Sequence, residues 1–373
     1  MITEFSVSTR VLSGLGSLAQ LPAEVDRLGA RRIAVVVDRG VAEAGLLQAV
    51  LGEIGRQRIA VSLLIDPDPD VTAAEHAASR ARDARADLVL AVGGGSALGA
   101  AKAAAIRLTN DQRIDAYQGV NRVPNPPAPT IAVPTTAGSG SEVSKVLVLH
   151  EPGMKDELVV RADGCEPKIA ILDATVLRGL PRLPMLHAGL DALSHGLEAQ
   201  WAKRGSWFTS QLGRSAARTI LDVLPAAVAG TTTGANRRGD NDALLQQLLE
   251  ASCAANMACG NSGLALVHAL STAPSVHLPH GLQNGILLPH VARFNDPVSG
   301  PATRELVARI DALYATLDFT PVFSPDAIGP DAADAMVAAS THHPFRINNR
   351  RDSSDEQLFD LLADAGATRK GNQ

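Results

Sequence analysis

Residues 87–108 read DLVLAVGGGSALGAAKAAAIRL. Leu88 to Val92 form an apolar run without polar alternation, the pattern of a strand covered on both faces. Gly93, Gly94, Gly95 and Ser96 close the run, and a helix of small residues follows. Strand, glycine turn and helix in direct succession make one βα unit of a parallel sheet. The chain before it repeats the plan. RIAVVVD (Arg32–Asp38) and RIAVSLLID (Arg58–Asp66) are two more buried strands, with a helix expected between them over Ala42–Ile54. DVTAAEHAASRARDARA has helical spacing, with Asp70 or Thr72 as its N-cap. Downstream, TIAVPTTAGSGSE is a further strand that enters a loop of small and hydroxylated residues.

The pattern changes after about Asp173. From LPRLPMLHAGLDALSHGLEAQWAK onward the chain reads as successive helices, with Gly230–Asp240, GTTTGANRRGD, as a polar glycine-rich linker. The expected plan is an α/β domain over residues 1–175 with a parallel sheet, then an all-helical domain over 176–373. A small ligand is expected in a cleft between two such domains.

Composition is that of an ordinary soluble globular protein. Of 373 residues 46% are hydrophobic and only 3% aromatic, so Ala, Val, Leu and Ile must build the core. The formal net charge of −5, without a basic block, argues against a nucleic-acid partner. Three cysteines in no C-x-x-C pattern suit a reducing compartment. The N-terminal stretch has no apolar signal core and no segment is long enough to span a bilayer, so a cytoplasmic location is expected.

Two loops have the composition to hold phosphates. Gly93, Gly94, Gly95 and Ser96 let a backbone approach an anion closely at a helix start, where N–H groups are unpaired. The second loop, Thr135, Thr136, Gly138, Ser139, Gly140 and Ser141, follows the next strand. Asp38 ends an earlier strand, where a carboxylate can bond a ribose diol. By itself the glycine turn could be a tight turn, and Asp38 a cap. Two such loops at neighbouring strand ends favour a dinucleotide.

The helical half carries a different chemistry. In GLDALSHGLEAQ, Asp191 and His195 lie one helical turn apart and can share a cation. Alone, such a pair is more often a solvated surface pair. GLALVHALSTAPSVHLPHGLQNGILLPH adds His268, His277, His280 and His290 in an apolar context, where unpaired imidazoles are costly. One carboxylate with several imidazoles suits Fe²⁺ or Zn²⁺. His290 reads as a hydrogen-bonded structural histidine.

Taken in order, GGGSALGAAK, PTTAGSGSEVS, GLDALSHGLEA and LPHGLQNGILLPHVARFN resemble the iron-containing alcohol dehydrogenase family. The resemblance runs from about residue 10 to residue 295. It implies a dehydroquinate-synthase-like architecture and NAD or NADP on the α/β domain. It also implies a metal, Fe²⁺ or alternatively Zn²⁺, held by Asp191, His195, His268 and His280. Gly93–Gly95 and Ser96 match its pyrophosphate loop, Thr135, Thr136 and Ser139 the loop beside the cofactor, and Asp38 its adenosine-ribose acid. Lys155 is the nearest match to a lysine that touches the cofactor. Gly99 and Thr272 stand where relatives usually carry Asp and His, the His268–His280 segment is two residues short, and much of the helical region after Asn295 is missing. His277 could compensate, as a proton relay or in place of His280. The implied reaction is hydride exchange between NAD(H) and a small alcohol or aldehyde, and a homodimer is the assembly considered. Alternatives are a maleylacetate-reductase-like enzyme, a dehydroquinate-synthase-type lyase and a non-catalytic member. Four intact ligands argue against the first.

HHPFRINNRRDSSDEQL holds a dense set of donors, and Lys145 adds a cation after the GSGSEVS loop. The bland reading is a solvated charged turn. The sharper one makes Arg346 and Lys145 an anion pocket, since Arg offers a planar fork to carboxylate or phosphonate oxygens. GLDALSHGLEAQW, HALS and RINN are similar to the phosphonoacetaldehyde-reductase branch, which implies an anionic aldehyde reduced to its primary alcohol.

Overall fold

The structure, a computed structural model, describes residues 2–149, 157–273 and 275–369. Its strands are β1 (Arg10–Ser13), β2 (Ile33–Asp38), β3 (Ile59–Ile65), β4 (Leu88–Gly93), β5 (Gly119–Val120), β6 (Thr130–Pro134), β7 (Val146–Leu149), β8 (Leu158–Arg161) and β9 (Ile169–Leu172). Helices α1 (Leu21–Arg27), α2 (Arg39–Glu43), α3 (Leu46–Ile54), α4 (Val71–Asp83) and α5 (Gly95–Thr109) alternate with them. Six strands form one parallel sheet in the order β1-β9-β6-β4-β2-β3. β2, β4 and β6 stand in its interior and are buried almost throughout. That explains their unbroken apolar runs.

Helix α5 buries alanines 100, 101, 104 and 105 against Ala34, Val36, Val89 and Ala91 of the sheet and Ala77, Ala78 and Ala81 of α4. Small side chains on both surfaces build this core without aromatics. Asp70 caps α4 as its spacing suggests, its carboxylate accepting from Ala73 N at 2.6 Å. The helix expected over Ala42–Ile54 is instead two, α2 and α3, because Gly45 takes a left-handed φ of 77° between them. The short strand β1 and a second sheet of order β5-β8-β7 were not expected from the sequence pattern. Their strands are two to four residues long, too short for a periodicity to show.

From Arg182 the described chain is helical: α6 (Arg182–Trp201), α7 (Trp207–Thr233), α8 (Ala235–Arg238), α9 (Asp242–Ser262), α10 (Leu266–Leu270), α11 (His280–Phe294) and shorter helices beyond. Residues 230–240, expected as a linker, are mostly helix, with α7 running to Thr233 and α8 following at once. Two compact units result. One comprises Val7–Pro181 with Thr233–Glu250, the other Met1–Ser6 with Arg182–Thr232 and Ala251–Gln373. A single cut near residue 175 does not contain the return of 233–250 to the α/β unit. Gln246 gives the physical reason: it accepts from Ala174 N at 3.0 Å and donates to Leu172 O at 2.9 Å and Ser13 Oγ at 3.0 Å. Those bonds complete polar groups at the ends of β1 and β9.

Candidate metal centre and cofactor loops

Helix α6 is buried from Gly189 to Trp201. Its small residues explain how neighbours come so close: a Cβ at Gly189 would lie 2.3 Å from Leu224 and one at Gly196 2.9 Å from the Gly213 carbonyl. Asp191 and His195 share its inner face and are both about 5% exposed. His268 comes from the five-residue helix α10, and His280 is the first residue of α11. Gly281 must follow it, because a Cβ there would lie 2.2 Å from the His187 carbonyl oxygen of α6.

These elements bring the acid and imidazoles together. Asp191, His268 and His280 offer ligand atoms that all lie within 4.8 Å of one another. His195 Nε2 stands 3.8 Å from Asp191 Oδ1, and the His195 and His268 rings stack at 4.6 Å. His277 is exposed and lies outside this group of ligand atoms. His290 is held by Pro321 O at 2.9 Å and by Arg293, as a structural histidine would be.

The electrostatics suit a cation. Burial disfavours the Asp191 charge, but the surrounding imidazoles, His195 foremost, outweigh it and hold the carboxyl well below the usual range. Burial pushes His195 down to about 4, against the pull of Asp191, so its ring is neutral near pH 7. His268 is also fully buried, yet Glu198 and Asp191 raise it to about 9. A cation would take the place of that proton.

Asn284 tests the fit. Its amino group lies 2.8 Å from Asp191 Oδ1, 3.1 Å from His268 Nε2 and 3.0 Å from His280 Nε2. Three polar atoms crowd this one amino group, and the Asn284 carbonyl oxygen is buried without a partner. A divalent cation satisfies a carboxylate and imidazoles converging in this way, so the donor set fits one.

Two supporting residues escaped the sequence reading. Glu198, fully buried on α6, accepts His268 Nδ1–H at 2.6 Å and the backbone N–H groups of Val267 and His268. It thereby leaves His268 Nε2 with its lone pair toward the centre. The signal was present: Asp191, His195 and Glu198 fall at i, i+4 and i+7 of one face. Glu198→Gln should weaken metal binding by about 10- to 100-fold, read by competition with a chelator. Unchanged affinity would make the contact merely structural. Asn256 is the partner of His195, with its amide 3.1 Å from Nδ1.

In the α/β unit the two loops touch. A Cβ at Gly94 would lie 3.2 Å from Thr136 Oγ1, and one at Gly95 3.1 Å from Ser139 Cβ. Gly93 has φ +154° and no room for a side chain, since its Cβ would lie 2.7 Å from Ala97 and 2.9 Å from Asp38. Thr135 N donates to Gly93 O at 3.0 Å, and Ser96 Oγ accepts from Asp68 N at 3.1 Å. Helix α5 opens at Gly95 with no side-chain cap on its first turn. Asp38 caps α2 through Gly40 N at 2.9 Å, and burial raises its carboxyl.

Lys102 was also missed. It is buried within α5 and donates to Ser141 Oγ at 2.9 Å and Val146 O at 2.8 Å, tying the helix to the hydroxyl-rich loop. Burial lowers it to about 7. A lone lysine in GAAKAAA was the available hint. Lys155 lies outside the described residues. Gly99 is buried, and a Cβ there would meet Val148 O at 3.6 Å, while Thr272 bonds Ala269 O at 3.0 Å.

The cations expected to form an anion pocket already have partners. Arg346 pairs with Asp355 at 2.7 Å and donates to Ser353 O at 2.8 Å and Ser353 Oγ at 3.1 Å. Lys145 pairs with Asp163 at 2.8 Å.

Comparison with known proteins decides the family. The pattern for iron-containing alcohol dehydrogenase matches residues 8–174, and that for the C-terminal part of the Fe-containing alcohol dehydrogenase family matches residues 185–342. The chain belongs to the iron-containing alcohol dehydrogenases. Among relatives in this family, the probable alcohol dehydrogenase EutG of Salmonella typhimurium is 33% identical over 98% of this chain and 95% of its own. The sulfoacetaldehyde reductase of Bilophila wadsworthia is 30% identical over 81% and 76%. The solved iron-containing alcohol dehydrogenase of Thermococcus thioreducens superposes with a TM-score of 0.85 at 25% identity, covering 97% of this chain and 99% of that one. Among the described residues no helix is long and apolar enough to cross a membrane.

Proposed function

We propose that this iron-containing alcohol dehydrogenase interconverts a small alcohol and its aldehyde by hydride exchange with NAD(H). The metal site we assign to Asp191, His195, His268 and His280, and the cofactor to the α/β unit. The observation that carries the reading is the convergence of Asp191, His268 and His280 within 4.8 Å, with Glu198 setting the His268 tautomer. Bound there, a divalent cation, Fe²⁺ by family and Zn²⁺ as the alternative, supplies Lewis-acid stabilisation of charge on the substrate oxygen.

The chain's own residues do the rest. Alcohol oxidation removes a hydride with its electron pair from carbon and a proton from the hydroxyl. No side chain accepts a hydride, so a nicotinamide must. The Gly94–Gly95 turn and Thr136 would cradle its pyrophosphate, and Asp38 would bond the adenosine ribose and repel a 2′-phosphate. Asp191 stays ionised under the influence of the imidazoles, which keeps one negative charge in the donor set.

A second reading, an anionic aldehyde as substrate, is supported by the identity to a sulfoacetaldehyde reductase. Lys145 and Arg346 would have to leave Asp163 and Asp355 to serve it. One experiment tests both. Fe²⁺-loaded protein, assayed anaerobically with NADH, should reduce small aldehydes, and turnover should vanish on chelation. If propanal and a phosphonate-bearing aldehyde have similar kcat/KM, the anionic reading is lost. If chelated protein stays fully active, the metal assignment is lost.

A further inference from the structure

Strands β2 and β3 run parallel with Asp38 opposite Ile65, so the residues that follow them, Arg39 and Asp66, emerge side by side. Arg39 and Asp66 form a two-pronged pair: Nε to Oδ1 at 2.5 Å and Nη2 to Oδ2 at 3.1 Å. Both are solvent-accessible, and the pairing raises Arg39 and lowers Asp66. Asp38, immediately before Arg39, packs its Cβ against the glycine loop at Gly93.

A dinucleotide whose pyrophosphate rests on Gly94 and Gly95 would bring its adenosine ribose to Asp38. A 2′-phosphate on that ribose would meet the Asp38 carboxylate and, beside it, the one cation next in sequence. A guanidinium fork suits phosphate oxygens. Here Asp66 occupies that fork with both carboxylate oxygens.

We propose that Asp66 is a cofactor-specificity residue: it holds Arg39 in a bidentate pair and so denies the 2′-phosphate of NADP(H) its cationic partner. The inference rests on the assignment of NAD(H) to this unit. Discrimination then has two parts, repulsion by Asp38 and sequestration of Arg39 by Asp66. Asp66 acts through Arg39 and does not itself touch the cofactor.

Nucleotide titrations of the full chain test this without any substrate. Asp66→Ala should tighten NADPH by about three- to tenfold, the range for one accessible ion pair, and leave NADH within twofold. Asp66→Ala/Arg39→Ala should abolish that gain, because it depends on the freed guanidinium. An unmoved NADPH constant in Asp66→Ala, or a gain that persists in the double variant, overturns the proposal. Failure of the unmodified protein to bind NADH would overturn the cofactor assignment itself, and the same titrations separate the two failures.

Discussion

Replacing His268 with alanine should lower turnover by about a thousandfold or more while NADH still binds. Several kcal/mol of charge stabilisation are at stake where a cation polarises a substrate oxygen, and each 1.4 kcal/mol or so is a factor of ten in rate. His268 is the imidazole most firmly placed for this task. It is buried, stacked on His195, tilted against His280, and fixed through Nδ1 by Glu198. Its loss would not leave Glu198 without partners, since Val267 N–H at 2.6 Å and the backbone N–H of residue 268 remain. The variant should therefore fold, and the two loops we assign to the nucleotide lie in the other compact unit. The measurements are metal stoichiometry, kcat/KM and the NADH dissociation constant on the same preparation. A His268→Ala protein that keeps its metal and its rate would exclude His268 as a ligand.

The second large effect is steric. Gly281→Ala would place a methyl carbon 2.2 Å from the His187 carbonyl oxygen, 2.7 Å from its carbon and 3.3 Å from its Cα. All three are backbone atoms of α6, so no side-chain rotation relieves the clash. The start of α11 must withdraw, taking His280 and Asn284 with it. Overpacking of this kind costs about 1–3 kcal/mol in stability. The larger consequence is loss of the metal, because His280 is the first residue of the displaced helix. Gly285→Ala is the milder comparison: the atoms nearest its Cβ belong to the Leu190 side chain, at 2.6 Å (Cδ1), 3.2 Å (Cβ) and 3.4 Å (Cγ), not to the α6 backbone. Denaturation midpoints and metal content of the two variants should differ sharply. Equal metal retention in both would mean that α11 does not position His280.

Much of this was legible from the chain alone. A buried strand between turn and helix announces itself by an unbroken apolar run, because both sheet faces are covered. That made β2, β3, β4 and β6 readable, and with them the parallel α/β unit. The pairing of Asp191 with His195 was equally local, because helical geometry sets four residues one turn apart. Four motifs in fixed order then pointed to the family.

Tertiary structure decided what local spacing does not encode. His268 and His280 lie 70 or more residues from Asp191 and His195 in sequence, and they meet them only because α10 and α11 pack on α6, α11 closely through its own Gly281 and Gly285. Glu198 looked like any helical glutamate until α10 placed an imidazole and two N–H groups against it. Arg346 and Lys145 looked like free cations until the fold set Asp355 and Asp163 beside them. Residues 233–250 read as more of the helical half until Gln246 was found completing the ends of β1 and β9. Longer strands and helices follow from the near neighbours of each residue, so a sequence declares them, while strands of two to four residues leave no such pattern. The protonation, pairing and ligand geometry of a side chain depend on groups brought in from elsewhere in the chain, and folding is what brings them.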